Sequence, residues 1–172
     1  VSRRWKEKLN FFGTIYHTSF IQHLPFKETL NKLYGALLLH VYAFESFDLS
    51  DYDVVLSVSS RFAHHIITKP TTLHVCYMNS PGRMFWESNI YFRSIFTKFL
   101  LSPLLAHFRS CDYAASKRVD KFIANAKLPK DRIKKYYGRE SLIVNPYANK
   151  ADSQKLVPIK GSYYLVISRL VP

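Results

Sequence analysis

The segment from Asn79 to Trp86 combines residue types that can bind an anion and a sugar ring. It reads Asn-Ser-Pro-Gly-Arg-Met-Phe-Trp, a polar turn that follows an apolar run and leads into a predicted helix. The free N–H groups and the positive end of the dipole at a helix start attract anions, and Arg83 adds a fork of donors. The same pattern also fits an ordinary turn whose Trp86 packs in the core. Residue spacing alone leaves both interpretations open.

Three further polar loops follow apolar runs in the same way, at 59–61, 125–127 and 145–147. If the runs are parallel strands, all these loops lie beyond their carboxyl ends, where open α/β sheets bind ligands. We therefore predict one ligand-binding edge. Its candidate residues are Ser59, Ser60, Asn79, Ser80, Arg83, Trp86, Asn125 and Asn145.

Short apolar runs alternate with helical patterns along the chain, which is typical of an α/β domain with a parallel sheet. The runs predict strands at 52–58, 73–78, 121–125, 141–146 and 163–168. Apolar residues at three- and four-residue spacing predict a helix over 27–44 and two helices over 91–119 that are divided near Pro103. A short basic helix over 129–137 is predicted to end at Gly138.

The chain carries a large excess of positive charge. Its 172 residues contain 25 Lys and Arg against 12 Asp and Glu, a formal net charge of +13. Such a charge favours an anionic partner, whether nucleic acid, an acidic membrane surface or a phosphorylated small molecule. No apolar stretch reaches the ~18–20 residues of a membrane span, and the basic start lacks the rest of a signal peptide. The two isolated cysteines, Cys76 and Cys111, indicate a reducing compartment.

A cluster of six cationic residues lies in and around the helix predicted over 129–137. Two tyrosines, Tyr136 and Tyr137, are interleaved with these cations. The pattern fits a nucleic-acid patch, a membrane-facing patch or a solvated helix face, and the sequence does not choose among them.

The histidines show no sequence spacing typical of a metal site. His64 and His65 are adjacent, so on an α-helix their side chains point about 100° apart and would chelate one ion poorly. The other five have no ligand spacing with cysteine or carboxylate. We therefore predict no metal and no cofactor.

Six segments carry a family resemblance through their order along the chain. They read FDLSDYDVVLS at 47–57, LHVCY at 73–77, PGRMFW at 81–86, RVDKFIAN at 118–125, RIKKYYGR at 132–139 and YYLVISRLVP at 163–172. Together they resemble bacterial glycosyltransferases of family 4, closest to mannosyltransferase-like members that build lipopolysaccharide or capsule sugars. The resemblance covers about residues 18–172.

This resemblance implies the GT-B fold, two Rossmann-like domains with the active site between them. Residues 1–148 would be the acceptor-side domain without its first strand, and 149–172 the interdomain linker and first strand of the donor domain. The chain would thus be an N-terminal portion truncated at both ends. Arg169 matches the family arginine that contacts the donor diphosphate, and Asn79 stands where the family usually has a histidine near the transferred sugar. Asparagine can bind a hydroxyl but carries no proton at neutral pH.

The function that we expect is that of a fragment of a retaining hexosyltransferase. It would transfer a mannose-like sugar from a nucleotide-diphosphate donor to a glycan or lipid-linked acceptor. The fragment alone is expected to be inactive, because the donor pocket is missing. The expected location is the cytoplasm, with an anionic membrane surface at the inner face of the cell membrane as a further partner and no nucleic acid. The alternatives are a basic nucleic-acid-binding module and a non-catalytic membrane-docking domain.

Overall fold

The computed structural model describes residues 17–23, 39–92 and 94–147. Several sequence predictions lie outside these residues. They are the first part of the helix predicted over 27–44, the strand predicted over 163–168, the segment 149–172 and, within it, Arg169.

A four-stranded parallel sheet forms the centre of the described structure. Its strands are β1 (Val54–Ser59), β2 (Leu73–Met78), β3 (Lys121–Ala124) and β4 (Ser141–Ile143), in the order β1-β2-β3-β4. In the register, Met78 is opposite both Ser59 and Ala124, and Ala124 is opposite Ile143, so the four carboxyl ends lie level with one another. Each strand coincides with a predicted apolar run. The predicted α/β class with a Rossmann-like parallel sheet is confirmed.

Five α-helices connect and flank the strands of the described structure. They are α1 (Leu39–Glu45), α2 (Arg83–Trp86), α3 (Ser88–Tyr91), α4 (Ile95–Lys117) and α5 (Lys127–Tyr137). Two 3₁₀ turns also occur, at Phe20–His23 and at Ala63–His65. As predicted, α5 ends at Gly138, which adopts the left-handed conformation with φ of 66°.

The predicted division of the long helix near Pro103 is wrong, since α4 runs without interruption through this residue. An interior proline removes one backbone hydrogen bond and costs about 3 kcal/mol. Apolar residues on both sides of Pro103 pack into the same cluster, Leu101 before it and Leu105 and Phe108 after it. This shared burial favours one continuous helix over two.

Two apolar clusters lie on one face of the sheet and meet at Trp86. One joins the sheet to α5 and contains Cys76, Met78, Val119, Phe122, Ala124, Ile133 and Tyr137. The other joins α1, α2 and α4 and contains Val41, Phe62, Phe85, Leu105 and Phe108. The indole of Trp86 packs against both clusters. On the opposite face of the sheet Val54, Leu56 and Val58 of β1 are exposed. The described residues therefore pack an apolar interior on one face of the sheet only.

Within the described segments, no helix combines the length and the apolar character that crossing a bilayer requires.

Candidate functional site

Three asparagines and one serine form a continuous row of hydrogen bonds across the carboxyl edge of the sheet. Asn79 Nδ2 donates to Ser60 Oγ at 3.1 Å, and Asn125 Nδ2 donates to Asn79 Oδ1 at 3.0 Å. Asn145 Nδ2 then donates to the backbone carbonyl of Asn125 at 2.9 Å. We call these four residues the asparagine row. It joins the loops after all four strands, so the common edge that the sequence predicts is present.

Backbone hydrogen bonds fix the position of the asparagine row. The N–H of Asn79 donates to the carbonyl of Ser59 at 2.8 Å, and the N–H of Asn125 donates to the carbonyl of Met78 at 3.4 Å. These bonds continue the parallel ladder by one residue, so each amide side chain starts from the rigid end of a strand. Sites built on such ends hold their side chains more precisely than sites on free loops.

The asparagine row keeps polar atoms that a ligand can use. Ser60 and Asn145 are exposed, while Asn79 and Asn125 are half-buried. Asn125 Oδ1 is buried and has no hydrogen-bond partner among the residues that the structure describes. Because an unpaired buried acceptor is unfavourable, this oxygen is suited to a hydroxyl or amine donor supplied by a ligand.

The two remaining residues of the predicted turn lie near the row without joining it. Ser80 Oγ donates to the Pro81 carbonyl at 2.9 Å, and Arg83 is exposed. Arg83 begins α2, which is only four residues long. So short a helix aligns few peptide dipoles, and the anion-binding helix start that the sequence suggested therefore loses most of its physical basis.

Two of the predicted edge residues point into the interior instead. Ser59 is fully buried, and its hydroxyl lies 3.1 Å from His64 Nδ1, so the prediction that Ser59 lines the cleft is wrong. Trp86 donates its indole N–H to Asp112 Oδ2 at 2.6 Å and stacks on Tyr136 with ring centroids 4.8 Å apart. Its placement matches the alternative in which the indole packs in the core.

A buried polar cluster behind the edge was not predicted. Asp112, on α4, is 1% exposed and lies at its centre. Its Oδ1 lies 3.0 Å from His64 Nε2 and 3.5 Å from His65 Nε2. Its Oδ2 accepts hydrogen bonds from Trp86 Nε1 at 2.6 Å and from the Tyr137 hydroxyl at 2.7 Å. We call these five residues the Asp112 cluster.

The Asp112 cluster holds a negative charge inside the protein. Burial by itself would raise the pKa of Asp112, but the adjacent His64 and His65 imidazoles and the Trp86 N–H together hold this pKa far below its usual range. Burial lowers the pKa of His65 and raises that of Tyr137 well above its usual value. An ionised carboxylate, a neutral His65 and a protonated Tyr137 are therefore favoured at neutral pH.

His64 and His65 do not diverge as adjacent residues of an α-helix would, because Ala63–His65 is a 3₁₀ turn. The two imidazole centroids lie 4.6 Å apart, and both Nε2 atoms approach the same oxygen of Asp112. Adjacency of the two histidines after a strand is the sequence signal that could have drawn attention to them.

About half of the predicted cationic patch has internal partners. Arg132 makes a two-point ion pair with Glu87, at 2.7 and 2.9 Å, and Lys134 pairs with Glu140. Arg139 donates to the backbone carbonyl of Val119 at 2.7 Å. These contacts reduce the number of cations on and directly after α5 that are available to a nucleic-acid backbone.

Two cavities lie away from the asparagine row. One, of about 620 Å³, opens beside the amino ends of β3 and β4 and is lined by Lys121, Glu140 and Ser141 among others. The other, of about 230 Å³, lies against α1 and includes Phe44 and Phe47 in its lining. Neither includes a member of the row, which instead lies on an open edge of the domain.

Comparisons of this chain with protein-family models, with curated proteins and with solved structures find no match.

Proposed function

We propose that the chain is the acceptor-side part of a retaining glycosyltransferase that uses a nucleotide-diphosphate sugar. The observation that carries this proposal is the asparagine row, which concentrates neutral donors and acceptors at the carboxyl edge of a parallel sheet. Ligands bind at this edge in open α/β sheets. Sugar hydroxyls are matched by such groups, because each hydroxyl both donates and accepts hydrogen bonds.

In this proposal the asparagines position the sugar and transfer no proton. Asn125 Oδ1 accepts a hydrogen bond from a sugar hydroxyl, and Asn79, held between Ser60 and Asn125, orients the amide beside it. A neutral amide cannot act as a general base at neutral pH. The departing diphosphate must then be stabilised by cations and N–H dipoles, a role that the resemblance assigns to Arg169.

The GT-B arrangement follows as part of the same proposal. A second Rossmann-like domain would hold the nucleotide sugar opposite the asparagine row, and 149–172 would lead into that domain. The 172-residue chain would then bind an acceptor sugar without turning over a donor. A mannose-like donor sugar remains our first choice, since the resemblance is closest to mannosyltransferases.

The exposed side of α4 supports a membrane surface as a partner. Ile95, Phe96, Phe99 and Leu100 are 83%, 74%, 79% and 65% exposed, respectively. At 100° per residue these four positions span one side of the helix, opposite the buried Leu105. Large exposed apolar patches mark protein or membrane contacts, and a net charge of +13 favours anionic lipid. An acceptor linked to a lipid would be presented at such a surface.

The proposal is tested by following the asparagine side-chain amides with NMR. The ¹⁵N-labelled chain is titrated with methyl α-mannoside and with α-mannotriose, and we expect shifts in the side-chain signals of Asn79 and Asn125. The exposed Asn89 serves as an internal control, because it lies on α3 away from the strand ends. The variant Asn125→Ala should lose the response, and Asn89→Ala should keep it. In parallel, no release of GDP from GDP-mannose is expected.

Three outcomes would count against the proposal or a part of it. If the wild type and Asn125→Ala show the same NMR shifts on sugar titration, the sugar does not bind at the asparagine row. Tight nucleic-acid binding that weakens steeply between two salt concentrations, without any response to sugars, would favour the nucleic-acid module. Turnover of GDP-mannose by the 172 residues would refute the expected dependence on a second domain.

A further inference from the structure

The Asp112 cluster contains three buried ligand-type atoms that converge without hydrogen-bond partners. His64 Nε2, His65 Nε2 and Asp112 Oδ1 are each buried and have no partner with hydrogen-bond geometry among the described residues. They nevertheless lie within 4.8 Å of one another. Buried polar atoms are satisfied in the large majority of cases, so three such atoms facing one point call for an explanation.

We propose that His64, His65 and Asp112 form a binding site for a divalent transition-metal ion of the Zn²⁺ type, with His64 Nε2, His65 Nε2 and Asp112 Oδ1 as ligands. Imidazole nitrogen and carboxylate oxygen are ordinary zinc ligands, at about 2.0–2.2 Å from the ion. Two ligands at that distance in tetrahedral geometry lie roughly 3.3–3.5 Å apart. The observed separations of 3.0 and 3.5 Å from Asp112 Oδ1 are close to that value.

Neighbouring residues hold two of the ligands as outer-shell groups do in metal sites. His64 Nδ1 lies 3.1 Å from the Ser59 hydroxyl, so a proton on Nδ1 can be donated to Ser59 and Nε2 is left with its lone pair. Trp86 and Tyr137 both donate to Asp112 Oδ2, which leaves Oδ1 as the free oxygen. This division of the carboxylate, with one oxygen saturated and the other unpaired, matches a ligating aspartate.

The charges of the cluster also suit a cation. His64 Nε2 and Asp112 Oδ1 lie 3.0 Å apart in the buried interior, and a cation beside both atoms would be attracted by the negative charge of the carboxylate. The ion would join the 3₁₀ turn after β1 to the C-terminal half of α4 and so fix the long helix on the sheet. This role is independent of sugar transfer.

The first experiment measures metal binding by the intact 172-residue chain. The chain is treated with a chelator, dialysed and titrated with Co²⁺ as a spectroscopic probe, and zinc content is measured by elemental analysis after loading with Zn²⁺. We expect one ion per chain and the visible absorption of Co²⁺ bound to nitrogen and oxygen ligands. His65→Gln and Asp112→Asn should lose this stoichiometric binding.

Two further variants separate the site from incidental histidine binding. His107→Gln is the matched control, since His107 is exposed and its Nε2 lies 3.7 Å from Cys111 Sγ, outside the Asp112 cluster. This variant should bind one ion as the wild type does. Ser59→Ala removes an outer-shell partner and should weaken Co²⁺ binding roughly 10–100-fold while leaving the stoichiometry at one.

Zinc X-ray absorption on the loaded wild-type chain covers the case in which a variant fails to fold. We expect two imidazoles and one carboxylate oxygen at about 2.0–2.2 Å from the zinc. The proposal is overturned if the wild type binds no more metal than His65→Gln, or if the spectrum lacks the two imidazoles. The cluster would then hold a proton between His64 and Asp112 rather than a metal ion.

Discussion

Replacing Tyr137 with phenylalanine tests how strongly the buried carboxylate of Asp112 is held. The Tyr137 hydroxyl donates to Asp112 Oδ2 at 2.7 Å, and the side chain is 0% exposed. Tyr137→Phe removes this one bond and retains the ring contacts with Phe122 and Trp86. A hydrogen bond to a charged group contributes about 1.5–3 kcal/mol, so we expect the free energy of unfolding to fall by about that amount.

The assay is urea unfolding followed by circular dichroism, with a thermal melt as a second readout. For a domain of this size the expected loss corresponds to a decrease of roughly 3–12 °C in the melting temperature. Tyr113→Phe is the matched control, because Tyr113 is exposed and its hydroxyl has no hydrogen bond within the described part of α4. Its free energy of unfolding should change by less than about 0.5 kcal/mol.

A double-mutant cycle with Trp86→Phe sharpens this test. Trp86 and Tyr137 donate to the same oxygen of Asp112. The loss in free energy of unfolding of the double variant should therefore differ from the sum of the two single losses by more than about 0.5 kcal/mol. If Tyr137→Phe unfolds at the same urea concentration as Tyr113→Phe, the hydroxyl is not bound to the carboxylate in the folded protein. Tyr137 would then not belong to the Asp112 cluster as described, and its hydroxyl would not stabilise the buried carboxylate.

Three other predictions concern separate contacts. Gly82→Ala should destabilise the fold more than Gly138→Ala in urea unfolding. A Cβ at residue 82 would lie 1.9 Å from a ring carbon of the buried phenylalanine in α2, whereas Gly138→Ala meets no atom and costs only the left-handed backbone strain, about 1 kcal/mol. Arg132→Lys should lower the free energy of unfolding by about 0.5–1.5 kcal/mol in the same assay, since lysine cannot make both bonds to Glu87. Phe99→Ser should reduce co-sedimentation with anionic vesicles about tenfold or more without changing stability, and unaltered sedimentation would remove α4 from the membrane proposal.

The sheet and its carboxyl edge could be predicted from the sequence, because local patterns determine them. Strands β1 and β2 are short, largely apolar runs bounded by turn residues, and their alternation with helical patterns predicts the strands of an α/β sheet. Once the strands are parallel, Asn79, Asn125 and Asn145 follow their carboxyl ends by chain connectivity alone. Because neighbouring strands end side by side, these residues lie close enough to form the hydrogen bonds of the asparagine row.

The features that the sequence did not predict depend on contacts between distant residues. His64 and Asp112 are 48 positions apart, and only the packing of α4 against the 3₁₀ turn brings them together. Pro103 stays inside a helix because burial on both sides outweighs a local preference. Ser59 was misplaced for a different reason. Leu56 and Val58 alternate with Ser57 and Ser59, a pattern that by itself places the serines on the outer face, whereas β1 buries both serines and exposes the two apolar side chains.

The position of Trp86 between the two apolar clusters gives the protein an internal fluorophore. The chain has two tryptophans, so Trp5→Phe leaves one emitter whose ring touches both halves of the interior. Its emission wavelength depends on the polarity around the indole, and its intensity depends on quenching by adjacent groups. A separation of α5 from α4 would admit water at this ring and shift the emission to the red. Optical spectroscopy on a single-tryptophan chain can therefore follow the interior during ligand, metal or vesicle titrations.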